Sequence, residues 1–233
     1  MSAFYLPEFS GEGIACLQGG EFVHAIHSMR HTVGETLWLT NGKGILAEGI
    51  LRSIHASYAE VEVIRKLVRP GEPPVPIGLV VPPLKQPSRT EWLVEKAVEL
   101  GATAIYFLPM ERSIRKNMQL SRLERVAIAA LKQNRRSVLP ALISTPSWEA
   151  LPWDDFSLRI VGEIGSQIPL HQVLPSKPTP TLWIVGPEGD FTDRELQNLR
   201  DKECIGVSLG QLRLRAETAA ILFLSVAKAT WGY

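Results

Sequence analysis

The sequence is short of cysteine: 233 residues contain two, Cys16 and Cys204, far apart and in no metal-ligand spacing. That excludes a disulfide framework, gives no sign of a zinc or other metal site, and suits a reducing compartment. Long apolar runs are lacking as well. No stretch approaches the roughly 18 consecutive apolar residues of a membrane helix, and Met1-Ser-Ala-Phe-Tyr-Leu-Pro lacks the basic-then-apolar order of a secretory leader. The expectation is a soluble, cytoplasmic protein with no membrane partner. Neither G-x-G-x-x-G nor G-x-x-x-x-G-K-[ST] occurs, so a dehydrogenase or a nucleotide-dependent kinase would lack its phosphate-holding glycine loop. Internal repeats and low-complexity tracts are also missing.

What is present is a hydrophobic content of 45%, enough to bury a core in one large domain or two small ones. The net charge of +1 is unevenly spread: residues 1–72 hold six Lys or Arg against eight acids, and residues 85–136 hold eleven against five. A cationic field of that size releases counterions from a phosphate backbone and is a common footprint of nucleic-acid binding. Solvated helix faces are the alternative source of such a charge run.

The first part reads as short strands and turns. Leu37–Thr40 and Ile45–Ala47 flank Asn41-Gly42-Lys43-Gly44, where Asn-Gly suits the two positive-φ positions of a tight hairpin. Ala59-Glu60-Val61-Glu62-Val63-Ile64 alternates as a half-buried strand does. Prolines in Arg69–Pro76 make a stiff connector and set a domain boundary at 72/73. Beyond it, apolar strands at Ile77–Val81, Ala104–Leu108, Leu158–Val161, Leu182–Val185 and Ile205–Leu209 alternate with helices. Strands so continuously apolar fit an α/β fold with a mostly parallel sheet covered on both faces. Capping boxes are expected at Ser88–Glu91, Ser121–Glu124 and Thr192–Glu195, each contributing about 1 kcal/mol, and Gly101 is a suitable helix stop.

In open α/β sheets ligands bind beyond the carboxyl ends of strands. Two such turns stand out, Gly186-Pro187-Glu188-Gly189-Asp190-Phe191 after Leu182–Val185, and Gly210–Ala220 after Ile205–Leu209. Glycines there let backbone approach a flat ligand and read the edge of a base such as adenine, while ordinary tight-turn glycines account for either turn taken alone.

These residues carry a family resemblance. Gly186-Pro187-Glu188-Gly189 with Phe191 and Glu195, then Leu209-Gly210, Leu214-Arg215 and Glu217-Thr218-Ala219, resemble the paired C-terminal signatures of the RsmE methyltransferases of the SPOUT superfamily. Lys85, Arg89, Glu91, Lys96, Glu99-Leu100-Gly101, Glu111-Arg112-Ser113, Gln133, Arg136 and Pro140 fit its middle motifs in order. His24, His27, Met29, Arg30 and Gly34 are similar to its N-terminal segment. Three positions depart from the pattern: Asp190 where glycine usually repeats, Arg213 where an aliphatic residue is usual, and Ala216 where threonine is common.

The resemblance implies an N-terminal PUA-like RNA-binding β-barrel at 1–72, a SPOUT domain with a deep trefoil knot at 73–233, and a homodimer. It implies S-adenosylmethionine-dependent methylation of uridine N3 in 16S ribosomal RNA, within the 30S subunit. Val185, Gly186, Pro187, Glu188, Gly189, Leu209, Gly210, Leu212, Leu214, Thr218 and Ala219 would hold the cofactor. Arg215 would stabilise anionic charge on the uracil, with Glu188 and Glu217 as further catalytic candidates. Glu217 in a first helical turn also complements the helix dipole without any catalytic part. His24, Arg30, Lys85, Arg89, Arg112, Arg115, Lys116, Arg135 and Arg136 would contact RNA, although His24 and Arg30 also suit the exposed surface of a small barrel. The alternatives are a SPOUT enzyme acting on a ribose 2′-hydroxyl, and a ribosome-assembly factor that keeps the fold without catalysis.

Overall fold

The computed structural model describes residues 2–115 and 118–233. The chain divides into two units, Met1–Glu72 with Ile128–Leu139, and Pro73–Ala127 with Pro140–Tyr233. In the first, β1 (Ala3–Tyr5), β2 (Ile14–Gln18), β3 (Thr36–Thr40), β4 (Ile45–Ile54) and β5 (Tyr58–Val68) form one sheet in the order β1-β3-β4-β5-β2. β1 is parallel to β3 and the other pairs are antiparallel. Period-two alternation puts Ala59 and Val61 in the core and turns Glu60 and Glu62 away from it. Between β2 and β3 lie one helical turn, α1 (Gly19–Phe22), and a wider π-type turn at Val23–Ser28, which add Phe22 and Ala25 to a core of Phe4, Leu17, Leu37, Leu39 and Leu51.

The β3–β4 connection differs from the expected Asn-Gly turn. Positive φ falls on Gly42 (68°) and Gly44 (109°), and Asn41 instead accepts through Oδ1 from the N–H groups of Lys43 and Ile45. A side-chain acceptor closes this loop where a tight turn would use backbone alone.

Ile128–Leu139 groups with the first unit because it is hydrogen-bonded there. The Glu72 carboxylate accepts from Nε and Nη2 of Arg136, from the N–H groups of Ser137 and Val138, and from the Ser137 hydroxyl. Lys132 pairs with Glu21 at 2.7 Å, and the N–H of Leu139 donates to the Gly42 carbonyl. The expected division assigned this stretch wholly to the second domain; nothing in an amphipathic helix pattern says which neighbour its last turns will bond.

The second unit holds a six-stranded, wholly parallel sheet of β6 (Ile77–Val81), β7 (Ala104–Phe107), β8 (Ala141–Ser144), β9 (Leu158–Gly162), β10 (Thr181–Ile184) and β11 (Ile205–Val207), in the order β11-β9-β10-β6-β7-β8. The central β10, β6 and β7 are buried along their whole length, which is why their sequences are continuously apolar. Edge strand β8 is not among the expected strands: its residues are mostly exposed, and its apolar run, Ala141-Leu142-Ile143, is only three residues long.

The helices of the second unit are α2 (Pro87–Glu99), α4 (Leu170–Val173), α5 (Asp193–Asp201) and α6 (Ala216–Trp231), together with the first two turns of α3 (Leu120–Asn134), whose remainder belongs to the first unit. α6 lies on α2, β6 and β10, with Phe223 stacked on Trp183 at 4.8 Å. One of the three expected capping boxes forms, at Thr192 and Glu195. At Ser88 the helix has already begun: Gln86 is the cap and Pro87 occupies the first turn, where its missing N–H goes unneeded. Glu91 pairs with Arg122 at 2.7 Å instead. α3 starts at Leu120, so Ser121 lies inside its first turn. α2 ends as expected, at Gly101 with φ 93°.

Candidate active site

β11, β9 and β10 are neighbours in the sheet, and the loops leaving their carboxyl ends enclose a cleft of about 630 Å³. Two are the glycine-marked turns of the sequence. The third, Gly162–Gln167 after β9, is not among the expected site residues, although it too follows an apolar run and sits where parallel sheets bind ligands. Of the expected cofactor residues, all but Gly189 and Thr218 line the cleft. A Cβ at Gly189 would meet that of Arg112 at 3.2 Å, and Thr218 is exposed outside the cleft.

The turn after β10 is held from several directions. Nη1 of Arg112 donates to the carbonyls of Gly189 and Phe191 at 3.0 and 3.1 Å, the N–H of Lys85 donates to Glu188 Oε1 at 3.0 Å, and Nη2 of Arg213 donates to the Glu188 carbonyl at 3.0 Å. Gly186 is required by the protein's own packing, because a Cβ there would lie 2.8 Å from the Phe191 ring. A ligand's close approach is not needed to account for this glycine; the ring beside it is reason enough.

Asp190 adopts a left-handed conformation, φ 64°, with Oδ1 accepting from the N–H of Phe191 at 2.9 Å. That backbone suits glycine and costs an L-residue about 1–2 kcal/mol, less for aspartate. Asp190→Gly is therefore expected to raise stability by roughly 0.5–1 kcal/mol. A denaturation midpoint that falls, with unchanged cooperativity, contradicts this account.

Arg215 caps α6, and its exposed side chain lines the cleft with no hydrogen-bond or ion-pair partner among the described residues. Glu217 is different: it is buried and faces Arg89 Nε at 3.6 Å, in the first turn of α6 where a carboxylate complements the helix dipole. That is a structural position, away from the cleft lining. Glu188 turns its carboxylate into the wall, one oxygen accepting from the Lys85 N–H and the other, Oε2, buried with no partner among the described residues.

The expected RNA contacts scatter. Arg136 is corrected outright: 8% exposed and clamped by Glu72, it has no face to offer a phosphate. Arg112 uses its guanidinium on the turn after β10 and Arg89 on Glu217. Arg135 lies over the Trp38 ring at 5.1 Å, and His24 is half-buried with its ring edge-on to Phe4. Lys85 and Arg30 are exposed, Arg115 is half-buried, and Lys116 lies outside the described residues.

Residues 71–228 match the family model described as RNA methyltransferase domain. The ribosomal RNA small subunit methyltransferase E of Bacillus subtilis (strain 168) is 27% identical over 225 residues, 90% of this chain and 87% of that protein. Its namesake from Mycobacterium bovis is 29% identical over 243 residues, 95% and 88% of the two chains. The crystal structure of ribosomal RNA small subunit methyltransferase E from Neisseria gonorrhoeae bound to S-adenosyl methionine superposes with a TM-score of 0.86 at 28% identity, covering 99% of this chain and 98% of that one. The cleft at the ends of β9, β10 and β11 thus sits in a chain that belongs to the RNA methyltransferase family, as an S-adenosylmethionine-dependent enzyme of the RsmE type.

Proposed function

We propose that this enzyme methylates N3 of a uridine in small-subunit ribosomal RNA, with the cleft holding S-adenosylmethionine and Arg215 facing the base. The observation that carries the reading is the Arg215 guanidinium, exposed on the cleft wall at the N-terminus of a 16-residue helix. The residues present suit the cofactor. About 630 Å³ is ample for one small molecule, Val185, Leu209 and Leu214 give apolar wall for a base, and the buried Glu188 Oε2 has no partner among the described residues. When bound, the cofactor supplies a methyl group already activated by its sulfonium charge.

The remaining work falls to the chain. Uridine N3 is a poor nucleophile until its proton is lost or strongly shared, so anionic charge on the imide must be stabilised. Arg215 and the amino end of α6 both present positive potential to such an anion. Glu217 is engaged with Arg89 away from the cleft lining, so it is not poised to take the proton. Lys85 and Arg30, both exposed, suit RNA phosphates.

The same reading makes 1–72 a PUA-like RNA-binding barrel and 73–233 a SPOUT domain with a deep trefoil knot. The path of the chain supports the knot. β11 inserts beside β9, the 163–169 loop bonds along it through Ser166 to the Gly206 carbonyl and Ser208 to the Ile168 carbonyl, and α6 then crosses to β10 and β6. A homodimer is supported by exposed Ile164 and Ile168 on the loop after β9, apolar surface that a second copy would cover. The substrate would be RNA of the assembled 30S subunit, in the cytoplasm. No described helix is long and apolar enough to cross a membrane.

The test is incubation with labelled S-adenosylmethionine and undermethylated small ribosomal subunits, followed by nucleoside mass spectrometry. N3-methyluridine is expected; a 2′-O-methylated nucleoside, or no transfer, sinks the reading.

A further inference from the structure

We infer that Arg213 is a positioning residue that straps together two loops of the cleft and thereby sets how long the cofactor stays bound. The inference rests on the reading that this cleft holds S-adenosylmethionine. Arg213 and Glu188 belong to different loops, one after β11 and one after β10, and both line the cleft. The guanidinium of the first donates to the backbone carbonyl of the second at 3.0 Å.

Little else holds this lip. Among the described residues, the backbone of Gln211–Leu214 makes no hydrogen bond, and the Arg213 side chain provides the one that joins this stretch to another loop. Leu212 is 84% exposed, so packing does not anchor the tip. At its base Gly210 has φ 116° and open space around the position of a Cβ, which makes it a natural hinge. The opposite lip is rigid by comparison, since Arg112 and Lys85 fix the turn after β10. One wall is therefore fixed and the other hangs on a charged side-chain bond.

A ligand enclosed by the loops leaves when the hinged lip swings away, and that motion breaks the Arg213 bond. Loss of a charge-assisted hydrogen bond at an exposed site is expected to speed departure by about ten-fold. Because Arg213 is exposed, the fold itself does not depend on it.

The experiment compares wild type, Arg213→Ala and Arg213→Lys by stopped-flow dissociation of S-adenosylhomocysteine, steady-state kinetics and thermal melting. Arg213→Ala should release the ligand about ten-fold faster and raise KM for the cofactor more than it alters kcat, with melting unchanged. Arg213→Lys, which keeps a donor and a charge, should recover part of the residence time. Wild-type dissociation rates in Arg213→Ala overturn the strap, as does equal loss in both variants with lowered melting. Hydrogen exchange on the wild type separates the two levels. Cofactor-induced protection in 163–167, 185–190 and 208–215 locates the ligand in the cleft, and its absence defeats the underlying assignment whatever Arg213 does.

Discussion

Arg215→Ala is expected to slow methylation by about 10²–10³-fold while changing cofactor affinity by no more than about two-fold. The size follows from what the side chain has to do. It sits at the cap of α6 with no partner among the described residues, so its charge is uncommitted until an anion arrives. An imide losing its proton becomes such an anion, whereas the uncharged ground-state base gains far less from the same guanidinium. Interactions that strengthen only as charge develops appear in kcat. Arg215→Lys should retain part of the rate, and the deficit of the alanine variant should shrink at alkaline pH, where the base ionises unaided. Calorimetry with the cofactor beside single-turnover kinetics distinguishes this from a binding role: parallel loss of both, or of neither, removes Arg215 from the chemistry.

Glu72→Ala should produce the largest loss of stability, about 3–5 kcal/mol, because it deprives a buried arginine of its carboxylate and leaves two N–H groups and a hydroxyl without their acceptor. In thermal melting that corresponds to a fall of roughly 10 °C. Burial alone would push the Glu72 carboxyl up; the Arg136 hydrogen bond and charge, with the N–H groups of Val138 and Ser137, outweigh it and hold the group below its ordinary value of 4.5. A depressed folded-state value means the contribution is fully present above 4.5 and disappears as pH falls through the lower value in the fold. The wild type should therefore lose its advantage over Glu72→Ala in strong acid. Equal stability of the two proteins at neutral pH would show that the cluster is dispensable.

Much of the second unit was legible because central strands of a parallel sheet are buried on both faces and must be apolar. Ile77–Val81 and Ala104–Leu108 announced themselves in this way, and β8, four residues with little burial, could not. The capping boxes at Ser88 and Ser121 were misleading for a different reason. Ser-x-x-Glu is common in sequence, and where the helices start two residues early, at Pro87 and at Leu120, the same residues fall inside them. Within the cleft, the glycine-marked turns were visible and the Gly162–Gln167 loop was passed over, although the rule that singled out the other two applies to it equally.

Charge was the hardest property to read. Arg136, Arg112 and Arg89 look alike in a basic run, yet one is enclosed by Glu72, one ties down a turn, and one neutralises Glu217. Their partners lie 64, 77 and 128 residues away along the chain, a relation only the fold creates.

The brevity of β8 has an effect on how the protein behaves in company. With a four-residue strand flanked by Pro140 and Pro146 at one margin of its sheet, and three residues in β11 at the other, the unit offers an intruding chain no ladder worth extending. Concentrated solutions should accordingly resist the strand-by-strand polymerisation to which long, flat sheet margins are prone.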